Sequence, residues 1–176
     1  MKIMKKIISI VDKINLFVGN VVKFLLLYMA LTLFYEVIAR YVFNNPTIWV
    51  LDLAKLALGF MGILGGGYAM LLDSHVKVDV IYGARSVRTR AIMDLCTSIL
   101  FFIFIIILLW QSTRMALASF VIREHSTTVF APPLYPLKMA IPVGVGLVLF
   151  QGIAKVLRDI IALITNEEQG YENLQY

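Results

Sequence analysis

Four long uncharged apolar stretches dominate this chain of 176 residues, at positions 24–35, 56–72, 95–113 and 139–154. Neighbouring residues can extend each stretch toward the roughly 20 residues that a helix needs to cross a bilayer. A backbone inside hydrocarbon must satisfy its hydrogen bonds within itself, which a helix does. The sequence therefore predicts an all-α membrane protein with four transmembrane helices in one domain, 1–176, and we expect no soluble catalytic domain.

The predicted spans lie at about 18–39, 49–72, 92–110 and 137–164, and residues 166–176 are expected to form an exposed tail. Composition agrees with this prediction, because 15% of the residues are charged, against about 25% in an average globular domain. The connection 111–136 is the longest, and its sequence predicts no structure beyond a continuation of the third helix at its start.

The basic residues are distributed unevenly among the connections. Ten of them lie before the first span, between the second and third spans, or just after the uncharged stretch 139–154, and five lie near the other two connections. Because basic residues are retained on the cytoplasmic side of a membrane, both termini are predicted to be cytoplasmic. The positive charge thus indicates membrane orientation, and we expect no nucleic-acid partner.

The first 17 residues show a helical apolar stripe of Ile3, Ile7, Ile10, Ile14 and Phe17, with lysines mostly outside it. Such a stripe predicts an N-terminal amphipathic interfacial segment in the headgroup layer of the bilayer. The alternative is that this segment extends the first span into the cytoplasm, and the sequence leaves both readings open.

Two pairs of opposite charges flank the first hairpin. Glu36 and Arg40 are four residues apart in span one, and Asp52 and Lys55 are three apart in span two. Because a short connection joins these helices, we expect the four side chains to form one charge cluster that bridges them. The cluster either fixes helix packing or docks a partner, or it is solvated and only orients the chain.

Span two also carries a stripe on one helix face. Its members follow a spacing of 3, 4, 3, 4 and 3 and are Asp52, Lys55, Gly59, Gly62, Gly66 and Ala69. Small residues let another helix backbone approach closely, so this face is predicted to be a helix contact. Whether the contacting helix belongs to this chain or to another protein stays open.

Residues with the chemistry of a cofactor or metal site are missing from the spans. Both histidines, His75 and His125, fall in connections, so the spans cannot ligate haem. The sequence has no cluster with metal-ligand spacing and no nucleophile with a base, which predicts no cofactor and no enzymatic activity. His75 and Asp79, four apart, are expected to share a local hydrogen bond.

Three groups of residues together resemble a known family. The residues of the first group are Glu36, Arg40, Tyr41, Phe43, Pro46, Trp49 and Asp52. They resemble the first hairpin of the small membrane subunit of tripartite ATP-independent periplasmic (TRAP) transporters, the DctQ-like proteins. His75 and Asp79 look like that family's cytoplasmic loop motif. The last span is similar in Pro133, Pro136, Lys138, Ile141, Pro142, Gly144 and Gln151. Asp52 and Tyr135 depart from it, since Glu and Trp are frequent at these places.

This resemblance implies a non-catalytic subunit in a bacterial inner membrane. Its partners would be a large permease subunit, which moves small carboxylated solutes with sodium by an elevator motion, and a periplasmic binding protein. The small subunit would widen the static scaffold of the permease. Residues around Arg40, Trp49, Asp52 and Arg123 are expected to face the binding protein.

Two other classes of function are consistent with a small membrane protein. One is a stand-alone proton-coupled exporter that works as a homodimer, with Glu36 as its coupling site. Arg40 argues against it, because a nearby cation keeps a carboxylate ionised. The other is a haem- or quinone-binding anchor subunit, which the absence of histidines from the spans disfavours.

Overall fold

The computed structural model describes residues 2–72 and 87–165, with side chains described for 4–72 and 97–161. In order along the chain, the helices are α1 (Lys2–Tyr41), α2 (Val50–Leu71), α3 (Val87–Val121) and α4 (Tyr135–Thr165). The described residues contain no β-strand, only an isolated bridge between His125 and Pro133. The prediction of an all-α protein with four long apolar helices is confirmed.

Each helix contains a segment that is long and apolar enough to cross a membrane. These segments are Met4–Tyr41, Val50–Leu71, Thr97–Val121 and Tyr135–Ile161. α2 ends close to its predicted bounds, but α3 continues 11 residues beyond the predicted end of span three. The first part of the connection 111–136 is therefore helical, and the loop itself comprises only residues 122–134.

α1 is one continuous helix of 40 residues. At a rise of 1.5 Å per residue it is about 60 Å long, twice the thickness of the hydrocarbon layer. The chain does not turn where span one was expected to begin, so the N-terminal segment is an extension of the first helix. Its predicted stripe is partly exposed, at 43% for Ile7, 50% for Ile10 and 69% for Phe17.

α4 packs against the other three helices, whereas α3 packs chiefly against α4. Glycines allow the close approaches within this arrangement. The Cα of Gly144 lies directly against the backbone carbonyl of Ile63 in α2, and Gly152 lies against the ring of Phe101 in α3. A β-carbon at either position would collide, so these glycines set the distances from α4 to its neighbours.

The end of the bundle that holds the start of α1 and the end of α4, here called the terminal end, is joined by a buried polar cluster. Asn15 donates through Nδ2 to Gln151 Oε1 at 2.8 Å, and Gln151 donates through Nε2 to Asp12 Oδ1 at 3.1 Å. Arg158 pairs with the same carboxylate. Asp12, Asn15, Gln151 and Arg158, the terminal-end cluster, therefore hold α1 beside α4.

A candidate interaction site at the loop end

The opposite end of the bundle, here called the loop end, holds the connections 42–49 and 122–134. The chain leaves α1 through Asn44, which adopts a left-handed conformation with φ 49°. The Asn45 N–H donates to the Ala39 carbonyl six residues back, at 2.9 Å, and so satisfies one of the free carbonyls at the end of α1. Asparagine tolerates this conformation well, which explains the sharp turn after Tyr41.

Glu36 is buried beneath this turn, with 6% of its surface exposed. Its Oε1 accepts from Arg40 Nη2 at 2.7 Å and from Arg40 Nε at 3.1 Å. Its Oε2 accepts from the backbone N–H of Thr47 at 3.2 Å and from the Thr47 hydroxyl. Four donors thus compensate the burial of one carboxylate, and they fix the connection onto the end of α1.

Asp52 is buried in the first turn of α2, where the helix dipole favours a negative charge. Lys55 Nζ lies 3.7 Å from its Oδ1, and the Thr128 hydroxyl donates to its Oδ2 at 2.5 Å. Thr128 is 76 residues further along the chain. This hydrogen bond therefore attaches the 122–134 loop, here called the strap, to the start of α2.

The strap is also held at its two ends. Lys138 of α4 pairs with Glu124 at 2.5 Å, and the Leu134 N–H donates to the Glu124 carbonyl at 2.9 Å. The ammonium of Lys138 beside Glu124 lowers the pKa of that carboxyl from its ordinary value, with a smaller contribution from Ser119. These contacts make the strap an ordered part of the loop end.

Aromatic rings surround a pocket beside the first connection. Tyr35 and Trp49 stack with ring centroids 6.0 Å apart, and both line a pocket of about 410 Å³ that Ala39 also lines. Tyr and Trp are favoured where hydrocarbon meets the headgroup layer. The ring pair therefore indicates the depth at which the loop end leaves the membrane.

The predicted charge cluster divides into two local pairs, Glu36 with Arg40 and Asp52 with Lys55. The contacts that reach beyond each helix go to Thr47 and Thr128 instead of to the other pair. Among the remaining predicted residues of the hairpin, Tyr41 is exposed and Trp49 is half-buried.

The predicted stripe of span two lies partly against α4. A β-carbon at Gly59 would be 2.9 Å from a methyl of Leu137, and one at Gly66 would be 3.1 Å from Val148. A β-carbon at Gly62 would meet nothing within 4 Å, and Ala69 is half-buried. Among the three glycines of the stripe, Gly62 is therefore the one that the described chain leaves uncovered.

His75 and Asp79 of the predicted loop motif lie outside the described residues. Within the described ranges 2–72 and 87–165, no group of three or more His, Cys, Asp or Glu side chains is placed to hold a metal ion. The side chain of Arg123, predicted to face a partner, is exposed where α3 ends.

Sequence reasoning missed Thr47, Thr128 and the partner of Lys138. The two threonines were invisible because neither is charged and neither is at helical spacing from the acid it contacts. Glu124 and Lys138 carry opposite charges 14 residues apart. Their pairing could not be predicted without knowing how the loop between them folds.

The amino-acid sequence of the chain matches a known family. Residues 29–162 match the family of "Tripartite ATP-independent periplasmic transporters, DctQ component". Over 79 residues, 45% of this chain, the chain is 28% identical to the "Sialic acid TRAP transporter permease protein SiaT" of Haemophilus influenzae (strain 86-028NP). Over 88 residues, 48% of this chain, it is 27% identical to the "C4-dicarboxylate TRAP transporter small permease protein DctQ" of Vibrio cholerae serotype O1 (strain ATCC 39315 / El Tor Inaba N16961).

The matched segments cover 13% and 38% of these two relatives' own lengths. The family match itself covers most of this chain, including the whole loop end, α2 and nearly all of α4. The chain belongs to the DctQ component family of tripartite ATP-independent periplasmic transporters.

Proposed function

We propose that this chain is the non-catalytic small membrane subunit of a sodium-coupled, binding-protein-dependent transporter for small carboxylated solutes. The family match over residues 29–162 carries the proposal. The two relatives are named for sialic acid and C4-dicarboxylates, and both classes of solute carry carboxylates. Substrate and sodium sites belong to a separate large permease subunit, and a periplasmic binding protein delivers the solute.

The membrane orientation follows from the basic residues. Ten of them lie toward the termini and the 73–90 connection, which makes the terminal end cytoplasmic in the bacterial inner membrane. The loop end then faces the periplasm. This orientation leaves the strap and the first connection on the side from which a binding protein approaches.

The scaffold role rests on the surface that the helices leave uncovered. α3 packs chiefly on α4, and much of its remaining circumference is apolar and exposed, including Ile103, Phe104, Ile107 and Trp110. An elevator-type permease needs a stationary frame wide enough to resist tilting. Four helices with such apolar faces enlarge that frame by packing on the large subunit.

The stand-alone exporter is disfavoured by the surroundings of Glu36. Proton coupling needs a carboxyl that exchanges its proton with cargo, whereas both oxygens of Glu36 accept hydrogen bonds from Arg40 and Thr47. With both oxygens occupied by hydrogen-bond donors, Glu36 is suited to a structural role.

Reconstituted uptake tests the proposed function. A large permease subunit and a periplasmic binding protein from the same organism would be reconstituted in vesicles with and without the chain. We expect uptake of a carboxylated solute that requires an inward sodium gradient and falls to background without the chain. Solute flux catalysed by this chain alone would overturn the proposal.

A variant of Gly62 tests the scaffold role separately. Because a side chain there meets nothing within the described chain, Gly62→Leu should leave the subunit folded and monodisperse. If a helix of the large subunit packs on this face, Gly62→Leu should reduce co-purification strongly and Gly62→Ala only slightly. Full co-purification of the leucine variant would exclude this face as the interface.

A further inference from the structure

Lys23 is a basic residue within the apolar segment Met4–Tyr41 of α1. Its side chain is exposed, and its ammonium donates a hydrogen bond to Asn20 Oδ1 at 3.0 Å. Asn20 is neutral, and within the described residues no acid pairs with Lys23. An ammonium has three N–H donors, and a basic residue in a membrane segment needs a counter-charge. Lys23 therefore has donors and a charge for which the described chain supplies no anion.

Tyr68 of α2 shows the depth of this ammonium in the bilayer. Its ring lies directly against Gly19, and Lys23 Nζ lies 5.2 Å from the ring centroid. Tyr68 follows Trp49, the aromatic residue at the loop-end interface, by 19 residues of the chain. At a rise of 1.5 Å per residue this is about 28 Å, close to the roughly 30 Å of the hydrocarbon layer. The ring and the ammonium beside it therefore lie at the terminal-end interface, where tyrosine is favoured.

The side chain of Lys23 extends toward the same interface. Asn20 lies nearly one turn of α1 nearer to the terminal end, so the ammonium is closer to the headgroups than its own backbone is. Long basic side chains extend in this way when their backbone lies in hydrocarbon. The headgroup phosphates of the terminal-end leaflet are the anions that a bilayer offers at this depth.

Apolar side chains continue from Lys23 toward the middle of the bilayer. Five exposed residues share its helix face, 3, 4, 7, 8 and 11 residues further along, and form the apolar strip: Leu26, Leu27, Ala30, Leu31 and Phe34. Apart from the alanine these side chains are large, whereas close contact between membrane helices uses small residues. A cation at the interface with an apolar strip leading inward matches a phospholipid, which joins a phosphate to acyl chains.

We propose that Lys23, Asn20 and Tyr68 bind the phosphate of an anionic phospholipid in the terminal-end leaflet, with an acyl chain along the apolar strip. Lys23 supplies the charge, and hydrogen bonds from a charged donor to phosphate are the stronger kind. The Asn20 amide and the Tyr68 hydroxyl are further donors, and neither has an acceptor within the described residues. The site requires only that the chain spans a bilayer, so it does not depend on the proposed function.

Lipid titration followed by native mass spectrometry tests this site. The full chain in a neutral detergent would be titrated with phosphatidylglycerol, and the fraction that retains one lipid would be measured. For Lys23→Met we expect the dissociation constant of the first lipid to rise about fivefold. Lys5→Met, at an exposed lysine 18 residues away on the same helix, should leave it as it is. Equal dissociation constants for Lys23→Met and the unaltered chain would overturn the proposal.

A carboxylate beside Lys23 separates loss of the site from loss of the fold. Asn20→Asp keeps the shape of the side chain and places an anion three residues from Lys23, so it should displace the lipid with Lys23 still present. Asn20→Ala removes one donor and leaves Lys23 without an anion, and it should retain most of the binding. An Asn20→Asp chain that binds phosphatidylglycerol as tightly as Asn20→Ala would contradict the proposal.

Two further measurements exclude other sources of the anion. Inorganic phosphate should not displace phosphatidylglycerol, because it has no acyl chain to lie along the apolar strip. Displacement at equal concentration would mean a site for soluble anions and would overturn the proposal. Lys23→Met should also leave co-purification with a large permease subunit unchanged. Loss of co-purification would mean that Lys23 pairs with an acid of that subunit and that the phospholipid is not its ligand.

Discussion

Replacing Gly144 by alanine tests how α4 is held against α2. The added β-carbon would collide with the backbone carbonyl oxygen of Ile63 and would lie 2.6 Å from that residue's Cγ2. The carbonyl cannot move away by a rotamer change, because it belongs to the middle of α2. The two helices must therefore separate or α2 must bend.

Two opposing contributions determine the expected change in the free energy of unfolding of Gly144→Ala. Overpacking a close contact costs about 1–3 kcal/mol, and exchanging glycine for alanine inside a helix contributes up to about 1 kcal/mol of stabilisation. Because the colliding atom is a backbone oxygen that no rotamer change can move, the upper part of the overpacking cost, about 2–3 kcal/mol, applies, and the net loss is about 1–2 kcal/mol. With a shift of about 2–4 °C per kcal/mol for a chain of this size, the Tm of Gly144→Ala should fall by roughly 2–8 °C.

Gly146 provides a matched control two residues along the same helix. A β-carbon there would meet nothing within 4 Å, so Gly146→Ala adds helix propensity without a collision. Both variants would be purified in detergent and heated in steps, with the folded fraction measured by size-exclusion chromatography. Equal Tm values for the two variants would refute the proposed close contact between Gly144 and α2.

Three other variants probe the polar contacts. Gln151→Leu removes the acceptor of Asn15 in the terminal-end cluster, and we expect a loss of about 1–3 kcal/mol, measured by the same heating assay. Thr128→Val should release the strap from α2 and raise the hydrogen exchange of residues 122–134 while α4 stays protected. Because Lys138 lowers the folded-state pKa of Glu124 below its ordinary 4.5, the pair stabilises the strap above that pH and weakens as pH falls through the lowered value. Glu124→Gln should remove this acid dependence of strap exchange, and an unchanged pH profile would contradict it.

The four helices could be predicted because uncharged stretches of such length have few alternatives to a transmembrane helix. Their ends could not be predicted equally well. The overhangs of α1 and α3 contain charged residues, which a hydropathy pattern excludes from a span although nothing in them stops a helix. α1 therefore begins at Lys2 instead of near position 18, and α3 reaches Val121.

Whether a side-chain contact could be predicted from the sequence depends on how far apart the two residues are along the chain. The pairs Glu36–Arg40 and Asp52–Lys55 follow from helical spacing alone, and the structure contains both. The Thr128–Asp52 hydrogen bond joins residues 76 apart, so it depends on how the strap folds over α2. Periodicity within one helix carries no information about such a contact.

The glycine stripe illustrates what helical periodicity leaves undetermined. The residue spacing places Gly59, Gly62 and Gly66 on one face of α2. It does not indicate which neighbouring helix packs against that face. In the structure α4 lies against Gly59 and Gly66, while Gly62 between them is open. The close approach of α4 to the backbone of α2 is at Gly144, whose role depends on the register of the two helices.

Polar contacts lie at both ends of α4 and constrain the same motion. At the loop end, Lys138 pairs with Glu124 of the strap, which Thr128 in turn attaches to Asp52 of α2. At the terminal end, Gln151 and Arg158 bind α1. A helix attached at one end only can pivot about that point, whereas attachment at both ends opposes tilt as well as sliding. Breaking the terminal-end cluster leaves the buried Asn15 and Asp12 without these partners, and releasing the strap leaves the buried Asp52 without Thr128. Both sets therefore resist displacement more strongly than apolar contact alone. A subunit built this way resists internal tilting, a property that the proposed role as a static frame beside the large permease subunit would require.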